Sequence, residues 1–130
     1  MNIVIDTNVI VSAILSVQSN PYKILNLIGN DETICVYYCV DILAEYRRVL
    51  AYERLNISAE TQKGILNTIK KFGILIEPSA SDIPMTDETD RIFYDTAKAA
   101  GAVLITGNIK HYPAEHFIMP PADFIKNVEL

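Results

Sequence analysis

No apolar run in this chain comes near the ~18 residues that a membrane-spanning helix requires. The longest stretches, residues 9–15 and 99–105, are broken by Ser12 and Gly101. The opening MNIVIDTN has neither a basic region nor a small-residue cleavage site, so no secretory signal is expected and the cytoplasm is the expected compartment. Cysteine is scarce: only Cys35 and Cys39 occur, both within TICVYYC. That β-branched and aromatic segment reads as a strand, along which four residues span ~13 Å, beyond the ~7 Å reach of a disulfide. The two thiols are therefore expected to be free, small and buried. With only the distant His111 and His116 to join them, they do not compose a zinc site. Basic charge is also short, 11 Lys and Arg against 16 Asp and Glu for a net of −5, which argues against holding nucleic acid by bulk electrostatics. No repeat, low-complexity tract or aromatic array is present; Tyr22, Tyr52 and Tyr112 remain as single candidate base contacts.

What is present is the material of one compact domain, residues 1–130, half of them hydrophobic and 21% charged. Such a composition excludes a disordered chain. The charge is unevenly spread. Residues 41–72 carry six basic side chains (Arg47, Arg48, Arg54, Lys63, Lys70, Lys71) against four acids. Residues 77–95 carry six acids opposed by Arg91 alone. A mildly basic region beside an acidic one suits a metal site working on a polyanion, and equally an ordinary acidic surface.

Hydrophobic periodicity predicts alternating strands and helices. Strands are expected at 2–6, 32–38, 73–77, 102–106 and, briefly, 117–119. Helices are expected at 8–16, at 21–28 with Asn20 as cap, and after Asp41, where Ile42, Leu43, Tyr46, Val49 and Leu50 keep helical spacing. A further helix opens at Ser58 and ends near Gly73, with Ile65, Leu66, Ile69 and Phe72 on one face. Another is capped by Asp87 and runs to about Ala100, and a last one begins at Pro121. Apolar strands alternating with helices imply a three-layer α/β/α sandwich around a central, mainly parallel sheet of four to five strands. Ligands in such folds bind outside the carboxyl ends of the strands, which is where Asp6 and the 106–108 loop should open.

Three acids draw attention there. Asp6 ends a strand otherwise made of Ile3, Val4 and Ile5, where a carboxylate needs hydrogen bonds or a cation, or caps the next helix through backbone amides. Glu45 sits at the margin of its helix's apolar stripe, free to pair with Arg48 three residues on. Asp90 falls in the first turn of its helix, where acids commonly serve the dipole. Meeting at one sheet edge with Asn108 nearby, the three would form an oxygen cage suited to Mg2+ or Mn2+.

The ordered set IDTNVIVSAIL, ILAEYRRVL, DRIFYDTAKAAGAVLITGN and MPPADFIKNV resembles the PIN-domain family, metal-dependent ribonucleases that include VapC-type toxins of toxin–antitoxin pairs. The resemblance runs nearly end to end and implies the fold inferred above. It assigns the family's acids to Asp6, Glu45 and Asp90, the last standing seven residues before Ala97 and eleven before Gly101. Asp95 is the rival third ligand, but at the wrong offset. One departure stands out: many members carry Asp in the loop after the fourth strand, where this chain has Asn108, which puts a second metal ion in doubt.

The resemblance implies hydrolysis of RNA phosphodiester bonds with Mg2+ or Mn2+ held by Asp6, Glu45 and Asp90, and with Asn108 orienting water or phosphate. Asn8, Arg47, Arg48, Thr106, Lys110 and His111 are the candidate substrate contacts. The implied partners are RNA, a small antitoxin protein and a second copy of the chain. The competing reading is a catalytically weak PIN scaffold that binds protein or RNA, given the charge lost at Asn108. A signalling receiver is excluded: it needs an adjacent acid pair after the first strand and a phosphoacceptor Asp ending a central one, whereas these strands end in Asp6 alone and in Glu77–Pro78.

Overall fold

The computed structural model describes residues 1–129 and contains five strands: β1 (Asn2–Ile5), β2 (Cys35–Tyr38), β3 (Ile74–Leu75), β4 (Val103–Ile105) and β5 (Ile118–Met119). All pair in parallel, in the order β3-β2-β1-β4-β5. Six helices connect or follow them: α1 (Thr7–Leu15), α2 (Asn20–Leu27), α3 (Val40–Leu50), α4 (Ala59–Phe72), α5 (Arg91–Ala100) and α6 (Pro121–Glu129). The α/β/α sandwich expected from the sequence is the architecture found. Among the described residues no helix is long and apolar enough to cross a membrane.

The strand order places the site. From β1 the chain steps outward to β2 and β3, then returns past β1 to β4. With right-handed crossovers, that reversal sends α5 to the face opposite α1, α2 and α4. Accordingly α5 packs on β1, β2 and β4, while α1, α2 and α4 wall a common groove and α6 lies against α2. The reversal opens a crevice between the carboxyl ends of β1 and β4, the switch point where parallel sheets receive ligands. These two strands are in register through Ile3–Val103, Val4–Leu104 and Ile5–Ile105, and the Asp6 amide extends the ladder by donating to the Ile105 carbonyl at 2.9 Å. Ile3, Val4 and Ile5 are wholly inaccessible, as a strand covered on both faces must be.

Several boundaries differ from the sequence reading, each for a local reason. Ser19, not Asn20, caps α2, its hydroxyl accepting the Tyr22 amide at 3.2 Å. Asp41 lies inside the first turn of α3, and Cys39 holds the capping position without a side-chain bond. β2 begins only at Cys35 because the Asp31 carboxylate takes the Thr33 amide at 2.9 Å and folds that segment into a turn. β3 is short and lies at the sheet edge, with Ile74 and Leu75 exposed. Phe72, expected on the apolar face of α4, is 44% exposed. Ser58 does cap α4, and Gly73 does follow its end. Both cysteines are free, but only Cys39 is buried.

Candidate active site

Asp6 stands between β1 and α1 with an extended backbone, and its main-chain carbonyl accepts the Val9 amide at 3.0 Å. Its side chain makes no capping bond. The carboxylate is left for other partners, although the residue is only 5% exposed. Its Oδ2 accepts two hydroxyls, Thr106 Oγ1 at 2.8 Å and the Tyr112 phenol at 2.8 Å. The Thr106 hydroxyl itself accepts the Asn108 amide at 3.0 Å, so its proton is free to point at Asp6. Burial raises the Asp6 pKa; the Thr106 and Tyr112 hydroxyls and the Thr7 amide oppose the rise, and the charge of Glu45 adds to it.

Asp90 closes a 3-10 turn, Glu88–Asp90, that runs straight into α5. It is not a capping acid. Asp87 takes that role by accepting the Thr89 amide at 3.0 Å, while the Asp90 side chain makes no capping bond. Its Oδ2 is buried without any hydrogen-bond partner. His111 Nδ1 stands 3.5 Å off, too far for a good bond. Burial first, then the charges of Asp6 and Asp87, push the Asp90 pKa up to about 6, with His111 pulling the other way.

Glu45 projects from α3, half-buried, and is paired with Arg48 one turn on. Arg48 is exposed and also donates to the Tyr52 hydroxyl; its guanidinium lies 5.6 Å from that ring's centroid, and the Arg54 guanidinium 5.2 Å. Arg47 is exposed beside them. The fold therefore brings Asp6 and Asp90 within reach of each other's charge, with Glu45 acting on Asp6 from α3. Among the described residues, no three His, Cys, Asp or Glu side chains are drawn together as a ready-built metal cage.

The remaining candidates divide. Asn8 Oδ1 accepts the Gly107 amide at 2.9 Å, clipping the loop after β4 to α1. Asn108, Lys110 and His111 are exposed around the 3-10 turn Ile109–His111, which the Asn108 side chain does not cap. Asp95 sits elsewhere. It is 6% exposed, accepts the Ser81 amide at 3.1 Å, and takes no part in the charges acting on Asp6 or Asp90. Arg91 ties the same loop by donating to the carbonyls of Ser81 and Ile83, each at 2.8 Å. Asp95 Oδ1 is buried without a hydrogen-bond partner, as Asp90 Oδ2 is.

Sequence reasoning misplaced Tyr112. Weighed there as a base contact, it is buried, 6% exposed, and bonded to Asp6 across 106 positions of sequence. No local pattern signals such a contact.

An all-oxygen set with two carboxylates in mutual repulsion, one bearing an orphaned buried oxygen, fits a hard divalent cation such as Mg2+ or Mn2+. A cation would relieve both the desolvation and the repulsion.

Comparison with known proteins bears on the family and the fold. The uncharacterized protein MJ1680 of Methanocaldococcus jannaschii is 32% identical over 111 residues, covering 83% of this chain and 71% of that protein. Among solved structures, VapBC2 from Rickettsia felis, bound to a DNA fragment from their promoter, is similar in fold. Its TM-score is 0.55 over 85% of this chain and 90% of its own, at 18% identity. The family model described as PIN domain matches residues 2–110, a span that holds Asp6, Glu45, Asp90 and the start of the loop after β4; the chain belongs to the PIN-domain family.

Proposed function

We propose that this chain is a single-domain, Mg2+- or Mn2+-dependent endoribonuclease and the toxin of a type II toxin–antitoxin pair. The observation that carries the reading is the buried, unpartnered Oδ2 of Asp90 beside Asp6 at the β1–β4 switch point. Asp6, Asp90 and Glu45 would hold the cation. When bound, it supplies an acidified water and neutralises charge on the phosphate. The chain's own residues do the rest. Thr106 and Tyr112 hold the Asp6 carboxylate in one orientation. Asp90 Oδ2, buried without a hydrogen-bond partner, would face the cation. Arg47, Arg48 and Lys110, all exposed, position phosphates and contribute affinity rather than sequence choice. The Glu45–Arg48 pair is exposed and weak, so a phosphate arriving at Arg48 or a cation arriving at Glu45 exchanges with it readily.

The similar fold of Rickettsia felis VapBC2 supports an antitoxin partner. The expected one is a small protein encoded immediately upstream, with a DNA-binding N-terminus and an amphipathic tail. Incubation of single-stranded RNA with purified protein tests the enzyme: cleavage requires Mg2+ or Mn2+ and stops with chelator. Cutting that persists in chelator overturns the proposal. The negative charge missing at Asn108 favours one rival, a scaffold that retains RNA without cutting it. In that case RNA shifts on a gel and stays whole in either metal.

Two further results are expected. The Asp90 pKa, about 6 in the fold against 3.8 unfolded, favours the protonated acid. Without metal, its contribution to stability is full below pH ~4 and is lost as pH rises through ~6. That shift corresponds to roughly 3 kcal/mol at most, and to less after solvent screening. Thermal melts from pH 4 to 7 should show this slope in the wild type and a flatter one in Asp90→Asn. Added Mn2+ should raise the melting temperature at pH 7 in the wild type alone.

Asn108→Asp returns a negative charge to the loop after β4. At ~4 Å from a cation, at an effective dielectric of 20, Coulomb attraction is about 4 kcal/mol before desolvation removes most of it. A net of ~1.4 kcal/mol gives tenfold tighter Mn2+ binding. Unchanged affinity by calorimetry makes Asn108 a loop residue and removes it from the site.

A further inference from the structure

We propose that Tyr112 is a positioning residue for Asp6: its hydroxyl, together with that of Thr106, fixes the carboxylate so that Oδ1 is the oxygen left for a cation. The proposal rests on the metal-nuclease reading above.

Tyr112 follows the 3-10 turn Ile109–His111 and lies two positions beyond the span matched by the family model. Its ring is buried, a setting in which a phenol needs a partner for its O–H. That partner is a carboxylate, at 2.8 Å. A phenol keeps its proton at neutral pH, so the hydroxyl acts as the donor. The second donor is equally constrained, because the Asn108 amide occupies the Thr106 oxygen and leaves the Thr106 proton for Asp6.

A carboxylate oxygen has two lone pairs in its plane. Both donors land on Oδ2, so that atom is saturated. Rotating the carboxylate by a quarter turn would break both bonds at once. The donors arrive from different places, one at the end of β4 and one beyond the turn, so neither can follow such a rotation. Groups that orient a metal-binding carboxylate from behind commonly support metal affinity by 10–100-fold. The same bond anchors the far end of the loop that presents Asn108 and His111, and Asn8 clips its near end at Gly107. A tyrosine retained for packing alone would need only its ring.

Tyr112→Phe keeps the ring and removes the donor. Calorimetric titration with Mn2+ should show a dissociation constant raised ~10–100-fold. At a fixed, limiting Mn2+ concentration, kcat on single-stranded RNA should fall while KM for RNA stays unchanged. Site-specific 3-fluorotyrosine at position 112 retains the donor and should restore wild-type Mn2+ affinity. Tyr94→Phe is the control: it loses a hydroxyl bonded to Glu115 at 3.2 Å, away from the acids, and should bind Mn2+ as the wild type does. If Tyr112→Phe binds Mn2+ like the wild type, or 3-fluorotyrosine fails to restore affinity, the positioning role is overturned while the nuclease reading stands. If the wild type itself binds no Mn2+, the nuclease reading falls and the positioning role falls with it.

Discussion

Asp6→Asn should abolish metal-dependent RNA cleavage, with a loss exceeding the 10–100-fold typical of groups that merely support a metal ligand. Asp6 is the acid on which the other parts converge, through the Thr106 and Tyr112 hydroxyls and the charges of Glu45 and Asp90. The fold should survive. Asp6 is penalised for its charge, since burial outweighs its hydrogen bonds in raising the pKa, and Asn removes that charge while keeping an oxygen for the two hydroxyls. Its effect on metal-free stability should stay within about 1 kcal/mol either way. Calorimetry should show Mn2+ binding lost, and urea denaturation an almost unmoved midpoint. Cleavage at the wild-type rate by Asp6→Asn would remove Asp6 from the mechanism.

Tyr46→Ala should produce the largest loss of stability, about 3–5 kcal/mol, out of the ~5–15 kcal/mol on which such domains stand. Tyr46 is wholly buried in α3, its ring centroid is 6.2 Å from that of Phe93 in α5, and its hydroxyl donates to the Ile5 carbonyl. It therefore ties the helix carrying Glu45 to the strand that ends in Asp6. Tyr46→Phe removes only the hydroxyl and leaves the Ile5 carbonyl without that partner, which should cost roughly 1–3 kcal/mol. Urea midpoints of the two variants separate packing from hydrogen bonding. Equal midpoints would mean that the ring contributes nothing beyond its hydroxyl.

The alternation of strands and helices was legible because its signals are local. Buried apolar runs such as Ile3–Val4–Ile5, the Ser58 cap and the Gly73 stop act within a few residues of themselves. Caps failed as signals where two candidates were adjacent. Ser19 displaced Asn20 because its hydroxyl meets the Tyr22 amide, and Cys39 holds the start of α3 by backbone geometry alone. For the site, the acidic residue types and their spacing pointed to one sheet edge. The competing local roles could not be separated without geometry. The capping role goes to Asp87 rather than Asp90, and Asp95 is spent on the Ser81 loop.

What the sequence determined alone was a parallel α/β chain with one acid at a strand end and the others on helices, because strand burial and helix periodicity depend on near neighbours. Only the tertiary structure decided which oxygen of which acid is left free. Asp6 takes its donors from Thr106 and Tyr112, and Asp90 acquires its high pKa through burial and through Asp6. Both outcomes depend on groups brought together from distant parts of the chain by the return of β4 to the side of β1. Hydrogen-bond direction and desolvation exist only once that return has been made.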